Sequence, residues 1–419
     1  MDSVAGSSGR NSMRLSIAEL ADKLYFYSFL LVGLVGLLSP FEYNVLPANA
    51  IFEMVLLMCA LLVFRIPKRP LIGFFAAAIL YVGISYALMT FSMPAGFLDF
   101  AQAYKAFFYI VPLCVFFRRN VFSRERAVRL VKLLLVIMFL KYAYSALLDL
   151  TPRMGSRPGL YVENNFEIIF LVIVFYVLRD DLGPKWAVWF GVLAAVIGLS
   201  GSRSSMLALL MLYCGIFLNR LTLRTFFHVA GLAVLALVAA SIFAFRSDGG
   251  GVESIDRYNF MMVFASEVEY WPAWKFLFGS APLTPLSSYA CSSLVYYQEL
   301  FSFTGDGRCY SVILHSYFLR AIFDHGVLGL LFLLGFLARA LRGSGYSTIE
   351  VLVFLGIICS SALSVSAMNS VFVSLAIALA LGVRRRKDPP RICSSVNFSR
   401  RDTDERGDRR GDQELDGPA

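Results

Sequence analysis

Residues 313–336 read ILHSYFLRAIFDHGVLGLLFLLGF, and this stretch joins two unlike halves. The first half carries a histidine, an arginine and an aspartate at helical spacings, whereas the second half is apolar throughout. At about 100° per residue, His315 lies on the apolar face of a helix, and Arg320 and Asp324 share the opposite face. Ionisable groups are costly inside a bilayer, so their position directly before an apolar run predicts a site at the mouth of a membrane span.

The composition of the whole chain predicts a polytopic membrane protein. Of its 419 residues, 58% are hydrophobic and 16% are charged, whereas soluble domains carry about 25% charged residues. Apolar runs close to the ~20 residues that a bilayer core requires recur along the chain. These runs are apolar on most faces and do not alternate, which favours helices over a barrel. We therefore predict an all-α polytopic fold of about twelve transmembrane helices, at 24–39, 43–64, 71–91, 98–117, 128–148, 161–178, 185–200, 204–219, 226–245, 326–341, 349–365 and 368–383.

The basic residues predict the orientation of these helices. Most of the 38 Lys and Arg residues fall in the cytoplasm when the N-terminus is placed there, and cytoplasmic loops carry the excess of positive charge. Both termini are then cytoplasmic, and the chain is expected in a bacterial inner membrane. The predicted regions are a nine-helix transmembrane region at 1–245, a periplasmic loop domain at 246–325, three transmembrane helices at 326–383 and a disordered cytoplasmic tail at 384–419.

The region 246–325 is long for a connection in a compact fold, and such loops are usually functional or disordered. Its tryptophans, tyrosines and aliphatic residues predict that it folds. Cys291 and Cys309 lie in it and face an oxidising compartment, so we predict that they form a disulfide. Acidic residues outnumber basic ones here, which argues against a nucleic-acid partner. With three histidines and no HExxH or CxxC motif in the chain, we expect no metal and no cofactor.

The stretch LSGSRSSMLALL, residues 199–210, holds Arg203 at the outward tip of a two-helix hairpin. Glycine and serine residues around it allow a ligand to approach the backbone, and the amides that begin a helix favour an anion. A guanidinium group suits phosphate oxygens because its donors form a planar fork. The alternative is a lone arginine that reaches from the membrane interface to water.

Two further stretches place charged and amide side chains near apolar runs. TPRMGSRPGLYVENNFEIIF, residues 151–170, holds Arg153 and Arg157 in a short outer loop and Asn165 at the beginning of the next span. Lys105 lies deeper, inside an apolar run. Charges near a bilayer core are costly, so these side chains are candidate substrate contacts. A solvated turn at the membrane surface is the alternative for the first stretch.

Arg257 and His315 lie at the two ends of the long loop. The stretch at 253–282 predicts an amphipathic helix that Arg257 leads and that ends at Phe278-Gly279. An imidazole between the outer loop and the lipid surface is placed to take a proton from a hydroxyl group. The alternative is a buried histidine that is hydrogen-bonded to the backbone.

Together these stretches resemble the superfamily of O-antigen ligases and repeat-unit polymerases, the WaaL and Wzy types. The resemblance rests on the GSRS hairpin at 201–204, on the Arg257 helix ending in FLFGS, and on LHSYFLRAIFDHGVLGLL at 314–331. Members typically carry an arginine at the first two places and a histidine, often followed by asparagine, at the third. This chain has Ser316 in place of the asparagine, and His325 separates the acidic residue from the following glycine.

The resemblance implies a metal-independent membrane glycosyltransferase with an undecaprenyl-diphosphate-linked glycan as donor. In this interpretation Arg203 and Arg257 stabilise the diphosphate leaving group. His315 orients or deprotonates the hydroxyl of the acceptor. The candidate substrate-binding residues are Arg153, Arg157, Arg320, Asn165 and Lys105.

Three functions compete at this point. A polymerase that adds repeat units to a growing lipid-linked glycan, for an exopolysaccharide or O-antigen, is favoured because no feature for binding a lipopolysaccharide core is evident. An O-antigen ligase would use the same donor and lipid A-core as acceptor. A flippase or other transporter predicts charges along a central path, whereas this chain gathers its non-cytoplasmic charge at the outer rim. Membrane lipids, chain-length regulators and export proteins are the candidate partners.

Overall fold

The computed structural model describes residues 5–39, 44–92, 96–147, 158–217, part of 230–237, 256–305, 307–363 and 366–383. Side chains are described from residue 17 onward and, in the helix that begins at Asp256, from Tyr258 onward. The described residues are mainly helical and include no strand. The predicted disordered tail at 384–419 and the larger part of the predicted span at 226–245 lie outside them.

Fifteen α-helices with defined bounds lie within the described residues and are numbered here in chain order. They are α1 (Ala5–Leu38), α2 (Ala48–Leu62), α3 (Arg69–Ser92), α4 (Phe97–Ala103), α5 (Lys105–Phe116), α6 (Arg124–Leu147), α7 (Asn164–Leu178), α8 (Trp186–Ser200), α9 (Arg203–Phe217), α10 (Asp256–Val268), α11 (Ala273–Phe278), α12 (Ser288–Ser293), α13 (Tyr317–Gly343), α14 (Thr348–Ala362) and α15 (Val371–Gly382). Apart from the run at 226–245, every predicted apolar run contains at least part of one of these helices.

Among the described residues, four helices are long and apolar enough to cross a membrane. They are the part of α1 at Ile17–Leu38, and α3, α6 and α13. The bent pair α4 and α5 makes a fifth if it is counted as one span. Helices α2, α8, α9, α14 and α15 are apolar but shorter. The fold is therefore all-helical, with four or five helices that can span a membrane by length and composition.

The apolar run at 98–117 is not one helix, contrary to expectation. It breaks at Tyr104, where α4 and α5 meet at a bend of 65°. A break leaves backbone groups without partners inside the helix, and buried groups of this kind need other partners. Asn369 supplies two of them: its Oδ1 accepts from the amide of Ala106 at 3.1 Å, and its Nδ2 donates to the carbonyl of Gln102 at 3.2 Å. The amide side chain thus bridges the break.

Helix α13 also differs from the predicted span at 326–341. It begins nine residues earlier, at Tyr317, and its backbone leaves the helical conformation at Gly326, where φ is 67° and ψ is 179°. Only glycine adopts this conformation readily. Arg320, Asp324 and His325 therefore lie in the same helix as the apolar run and on the N-terminal side of its kink.

The long loop docks on this kink. The amide and hydroxyl of Ser280 both donate to the carbonyl of Phe323, at 2.8 and 2.9 Å. A Cβ atom on Gly326 would lie 2.2 Å from the carbonyl oxygen of Leu277, and one on Gly279 would lie 2.7 Å from the amide of Gly326. The two backbones approach so closely because both positions are glycine. The FLFGS sequence is thus the segment that fixes the loop to the bundle.

The segment between 256 and 316 is folded around its own buried cluster. The predicted single helix from Arg257 to Phe278 is interrupted, because α10 ends at Val268 and α11 begins after Pro272. Cys291 and Cys309 form a disulfide with their Cα atoms 5.8 Å apart, which adds about 3 kcal/mol for a closed loop of this size. The cluster contains Phe260, Val263, Leu286, Ala290, Leu294, Phe301, Ile313, Leu314 and Phe323.

Candidate functional site

Arg203 is the first residue of α9. Helix α8 ends at Ser200, and Gly201 reverses the chain in the left-handed conformation, with φ at 57°. The amides in the first turn of a helix have no partner within the helix and point outward with the positive end of its dipole. The hairpin therefore combines a half-buried guanidinium group with the amino end of a helix, as its sequence predicts.

The hairpin is bonded to the start of α7. The Oδ1 atom of Asn165 accepts from the hydroxyls of Ser202 at 2.5 Å and Ser204 at 3.0 Å. The side chain of Asn164 donates to the carbonyl of Ser200 at 3.0 Å. The stretches 151–170 and 199–210 thus meet in the structure. Asn165 is 1% exposed, and its side chain binds the serine on each side of the arginine.

Asn165→Ala is expected to destabilise the protein by about 1–3 kcal/mol, because the buried hydroxyls of Ser202 and Ser204 lose their common acceptor. The midpoint of thermal unfolding in detergent measures this effect. Thr90→Ala is the matched control, since Thr90 makes only a local bond to Tyr86 at an exposed position and should shift stability by about 0.5 kcal/mol or less. Equal midpoints for the two variants would contradict the assignment.

Glu167 holds the turn that leads into α7. Its carboxylate accepts from the amides of Leu160 at 2.8 Å and Tyr161 at 2.7 Å and from the hydroxyl of Tyr142 at 2.5 Å. It is 1% exposed. The acidic residue at the start of this helix is thus part of the scaffold, because all of these bonds are to the protein itself.

His315 does not lie on a helix, which corrects the helical-face assignment made from the sequence. It lies between the 3₁₀ helix Ser311–Ile313 and the start of α13. Its ring makes edge contacts with Phe260 at 5.2 Å and Tyr297 at 5.5 Å between centroids. Phe260 follows Arg257 by three residues, which is about one turn of α10. The structure thus brings His315 to the helix of Arg257, whose side chain lies outside the described residues.

The relative positions of Arg203 and His315 follow from the packing of α9 on α14. Val353 lies against Gly215, and Met211 lies against Gly356. In these two contacts the residue number rises in one helix as it falls in the other, so the two helices are antiparallel. Continued toward the start of α9, this register places the first turn of α9 level with the last turn of α14, at Ala362.

His315 lies at the same level of the bundle. The hydroxyl of its neighbour Ser316 donates to the carbonyl of Ala362 at 3.3 Å. Packed helices lie about 8–10 Å apart. The hairpin of Arg203 and the loop of His315 therefore lie at the same end of the bundle, close to the end of α14.

Arg320 and Asp324 pair as their spacing predicts, but they do so in the interior. They are 2% and 6% exposed, and the Nε atom of Arg320 lies 3.7 Å from Oδ2 of Asp324. Arg320 also donates to the carbonyl of Gln102, which has lost its helical partner at the break between α4 and α5. The hydroxyl of Ser311 donates to the carboxylate of Asp324 at 2.6–2.7 Å. The buried cation thus neutralises the carbonyl end of a short helix and one carboxylate.

His325 completes this interior network and was not identified from the sequence. Its Nδ1 lies 2.9 Å from the hydroxyl of Tyr81, and its Nε2 lies 3.3 Å from the carbonyl of Ala103. The rings of Tyr104 and Phe107 surround it at 4.8 and 4.7 Å. Its position directly before a glycine, at the start of an apolar run, was the available signal.

The remaining candidates lie elsewhere or outside the described residues. Lys105 begins α5 and forms an ion pair with Glu53 of α2, and the hydroxyl of Tyr109 donates to the same carboxylate at 3.3 Å. Arg153 and Arg157 fall within 148–157, which the structure does not describe. Within the described residues, no group of three or more His, Cys, Asp or Glu side chains could hold a metal ion.

The geometry is the basis for assigning a function to this chain, because its family is not shown by similarity. The chain matches no protein-family model, no curated protein and no solved structure.

Proposed function

We propose that this protein is a membrane glycosyltransferase that takes a glycan from a lipid diphosphate, undecaprenyl diphosphate, at the outer face of a bacterial inner membrane. The observation that carries the proposal is that the Arg203 hairpin and the loop of His315 lie at the same end of the bundle, level with the end of α14. The Arg203 hairpin is tied there to the start of α7 by Asn165. Buried hydrogen bonds hold the hairpin in one conformation, and a charge-stabilising site needs such preorganisation.

The proposed chemistry is displacement of a diphosphate from the anomeric carbon of a sugar. The acceptor hydroxyl attacks that carbon, the bond from the carbon to the diphosphate oxygen breaks, and the diphosphate leaves with both electrons. Arg203 stabilises the negative charge that develops on the leaving group, with the amino end of α9 beside it. Arg257, in the first turn of α10, is the second proposed cation.

His315 is the proposed base. Its ring lies between the loop and the bundle and is partly exposed, so a hydroxyl group from solvent can approach it. A neutral imidazole accepts the proton as the new bond to the anomeric carbon forms. The contact between its ring and Phe260 keeps it beside the helix of Arg257. We treat Arg320 as scaffold, because its partners are buried protein groups.

The proposed placement in the membrane has twelve spans with both termini in the cytoplasm. Helices of about 15 residues are short for a full span of the bilayer core. A short apolar helix can cross where the bilayer is locally thinner or where flanking side chains reach the interface. Among glycan transfers, a polymerase that extends a lipid-linked glycan is preferred over a ligase to lipid A-core.

His315→Gln is expected to lower the initial rate of glycan transfer by about 10²–10⁴-fold, because glutamine keeps polar bulk but cannot accept the proton. The assay uses proteoliposomes with an undecaprenyl-diphosphate oligosaccharide, and a gel that resolves products by repeat number. A ladder with the lipid-linked glycan alone supports a polymerase, and a product that requires lipid A-core supports a ligase. If the donor crosses the bilayer and no product forms, the protein is a transporter and not a transferase.

The same assay with a chelator tests whether the chemistry needs a metal ion. Unchanged transfer is expected, since arginine side chains supply the positive charge in the proposed mechanism. If His315→Gln transfers glycan at the wild-type rate, His315 is not the base. Glycan transfer would then depend on another residue.

A further inference from the structure

Helix α11 and the turn before it expose an unusual set of large apolar side chains. Tyr270, Trp274, Leu277 and Phe278 are 87%, 61%, 45% and 63% exposed. We call these four residues the outer apolar strip. Trp274, Leu277 and Phe278 follow the helical spacing of three and four, so they share one face of α11. Burying one such side chain stabilises a protein by about 1.5–3 kcal/mol, so a strip of four is expected to have a cover.

The outer apolar strip has a fixed direction because the other face of α11 and the residues after it pack on α13. The ring of Trp271 contacts Phe323 of α13 at 5.3 Å and Phe276 at 5.5 Å. The close approach at the kink, together with the two bonds from Ser280, fixes the end of α11 on α13. One face of α11 is therefore held on the bundle, and the opposite face cannot turn inward without breaking these contacts.

We propose that the outer apolar strip lies in the outer interface of the lipid bilayer, so that this part of the long loop anchors the loop to the membrane. The strip continues onto Leu328 and Leu331, which are 45% and 56% exposed on α13 just beyond the kink. A helix long and apolar enough to cross a membrane presents such leucines to lipid. The backbone of Leu277 approaches Gly326 closely, so exposed residues of both helices lie near the kink, where one lipid phase would cover them.

The chemistry of the segment also favours a lipid surface over a protein partner. Tyrosine and tryptophan are enriched at membrane–water interfaces, where the ring is buried and its polar edge stays wet. Residues 270–279 contain no acidic residue and one lysine, and the Nζ of Lys275 lies 4.5 Å from the ring centroid of Trp271. A cation at this depth attracts anionic headgroups. The pattern is that of an interfacial helix.

The anchor would place the proposed transfer site at the lipid surface. The loop carries Arg257 in α10 and bonds to α13 at Ser280, so fixing α11 in the interface also fixes the height of α10. This inference rests on the membrane placement in the proposed function, but it does not depend on glycan transfer. Its test therefore measures depth in the bilayer and not enzymatic activity.

The experiment measures quenching of tryptophan fluorescence by phospholipids brominated either near the headgroup or near the end of the chain. The four tryptophans are Trp186, Trp189, Trp271 and Trp274, and the test variant replaces the first three by phenylalanine. We expect Trp274 to lose most of its emission to the lipid brominated near the headgroup and less to the other lipid. A second measurement compares the natural chain with Trp274→Phe, in case the triple replacement lowers the yield.

Leu331→Trp in a background without other tryptophans is the reference for depth. It should be quenched more by the lipid brominated near the chain end. If this reference is not quenched by either lipid, the membrane placement itself fails. If Leu331→Trp is quenched but Trp274 is reached only by acrylamide in water, the anchor is overturned. If Trp274 is shielded from both lipid and acrylamide, a protein surface covers the strip instead, which also overturns the proposal.

Discussion

Arg203→Ala is expected to reduce glycan transfer by about 10²–10³-fold, the usual loss when one preorganised charge-stabilising group is removed. The loss should appear mainly in kcat, because the guanidinium group interacts most strongly with the diphosphate as negative charge develops on it. Transfer rates over a range of donor concentration in proteoliposomes separate kcat from KM. Arg203→Lys should recover part of the rate, since lysine supplies the charge without the planar fork.

The control for this experiment is Arg129→Ala. Arg129 is 70% exposed in α6 and lies 3.9 Å from Glu125, so its removal should leave transfer at the wild-type rate. A normal product pattern from Arg203→Ala, with normal kinetics, would show that the hairpin does not hold the leaving group. The buried bonds between the hairpin and Asn165 would then serve only the fold.

Arg320→Ala is expected to destabilise the protein by about 3–5 kcal/mol, the cost of leaving the partner of a buried ion pair uncompensated. The variant leaves the carboxylate of Asp324 without its cation and removes one of the two donors to the carbonyl of Gln102. The midpoint of thermal unfolding in detergent, and the folded fraction in gel filtration, report the loss. Replacing both residues of the pair by apolar ones of similar volume, Arg320→Met with Asp324→Leu, should recover much of it.

Lys23→Ala is the matched control, because Lys23 and Glu19 also pair at a spacing of four but are 50% and 52% exposed. An exposed pair of this kind contributes about 0–1 kcal/mol. Similar losses for Arg320→Ala and Lys23→Ala would contradict the view that burial determines the importance of the pair. A double variant as unstable as the sum of its single variants would show that the two side chains act independently.

Much of the architecture could be predicted from the chain because apolar runs near 20 residues have few alternatives to helices. The runs within the described residues contain helices, and the hairpin at Arg203 reverses where Gly201 allows it. The bond between Cys291 and Cys309 was likewise expected, since two cysteines in one long loop have few other partners. These features depend on local composition and chain direction, which the sequence carries.

The breaks inside helices could not be predicted in this way. The run at 98–117 is apolar and carries no residue that compels a break at Tyr104. The 65° bend there is stabilised by Asn369, Arg320 and His325, which bond to the opened backbone from distant parts of the chain. A hydropathy profile averages over adjacent residues and does not detect such a break. The residues that stabilise the break are separated from it by more than two hundred residues in the sequence.

The sequence by itself determined that the chain is helical and apolar, and which polar residues stand out against that background. Only the tertiary structure decided what these residues contact. His315 lies in a loop and not on the face of a helix, because α13 begins at Tyr317. Asn165 and Arg320 were both candidate substrate-binding residues. In the structure Asn165 binds the hairpin of Arg203 and Arg320 binds the break between α4 and α5. The reason is physical: a polar side chain in an apolar segment must find a partner, and long-range packing alone determines whether that partner is the protein or a ligand.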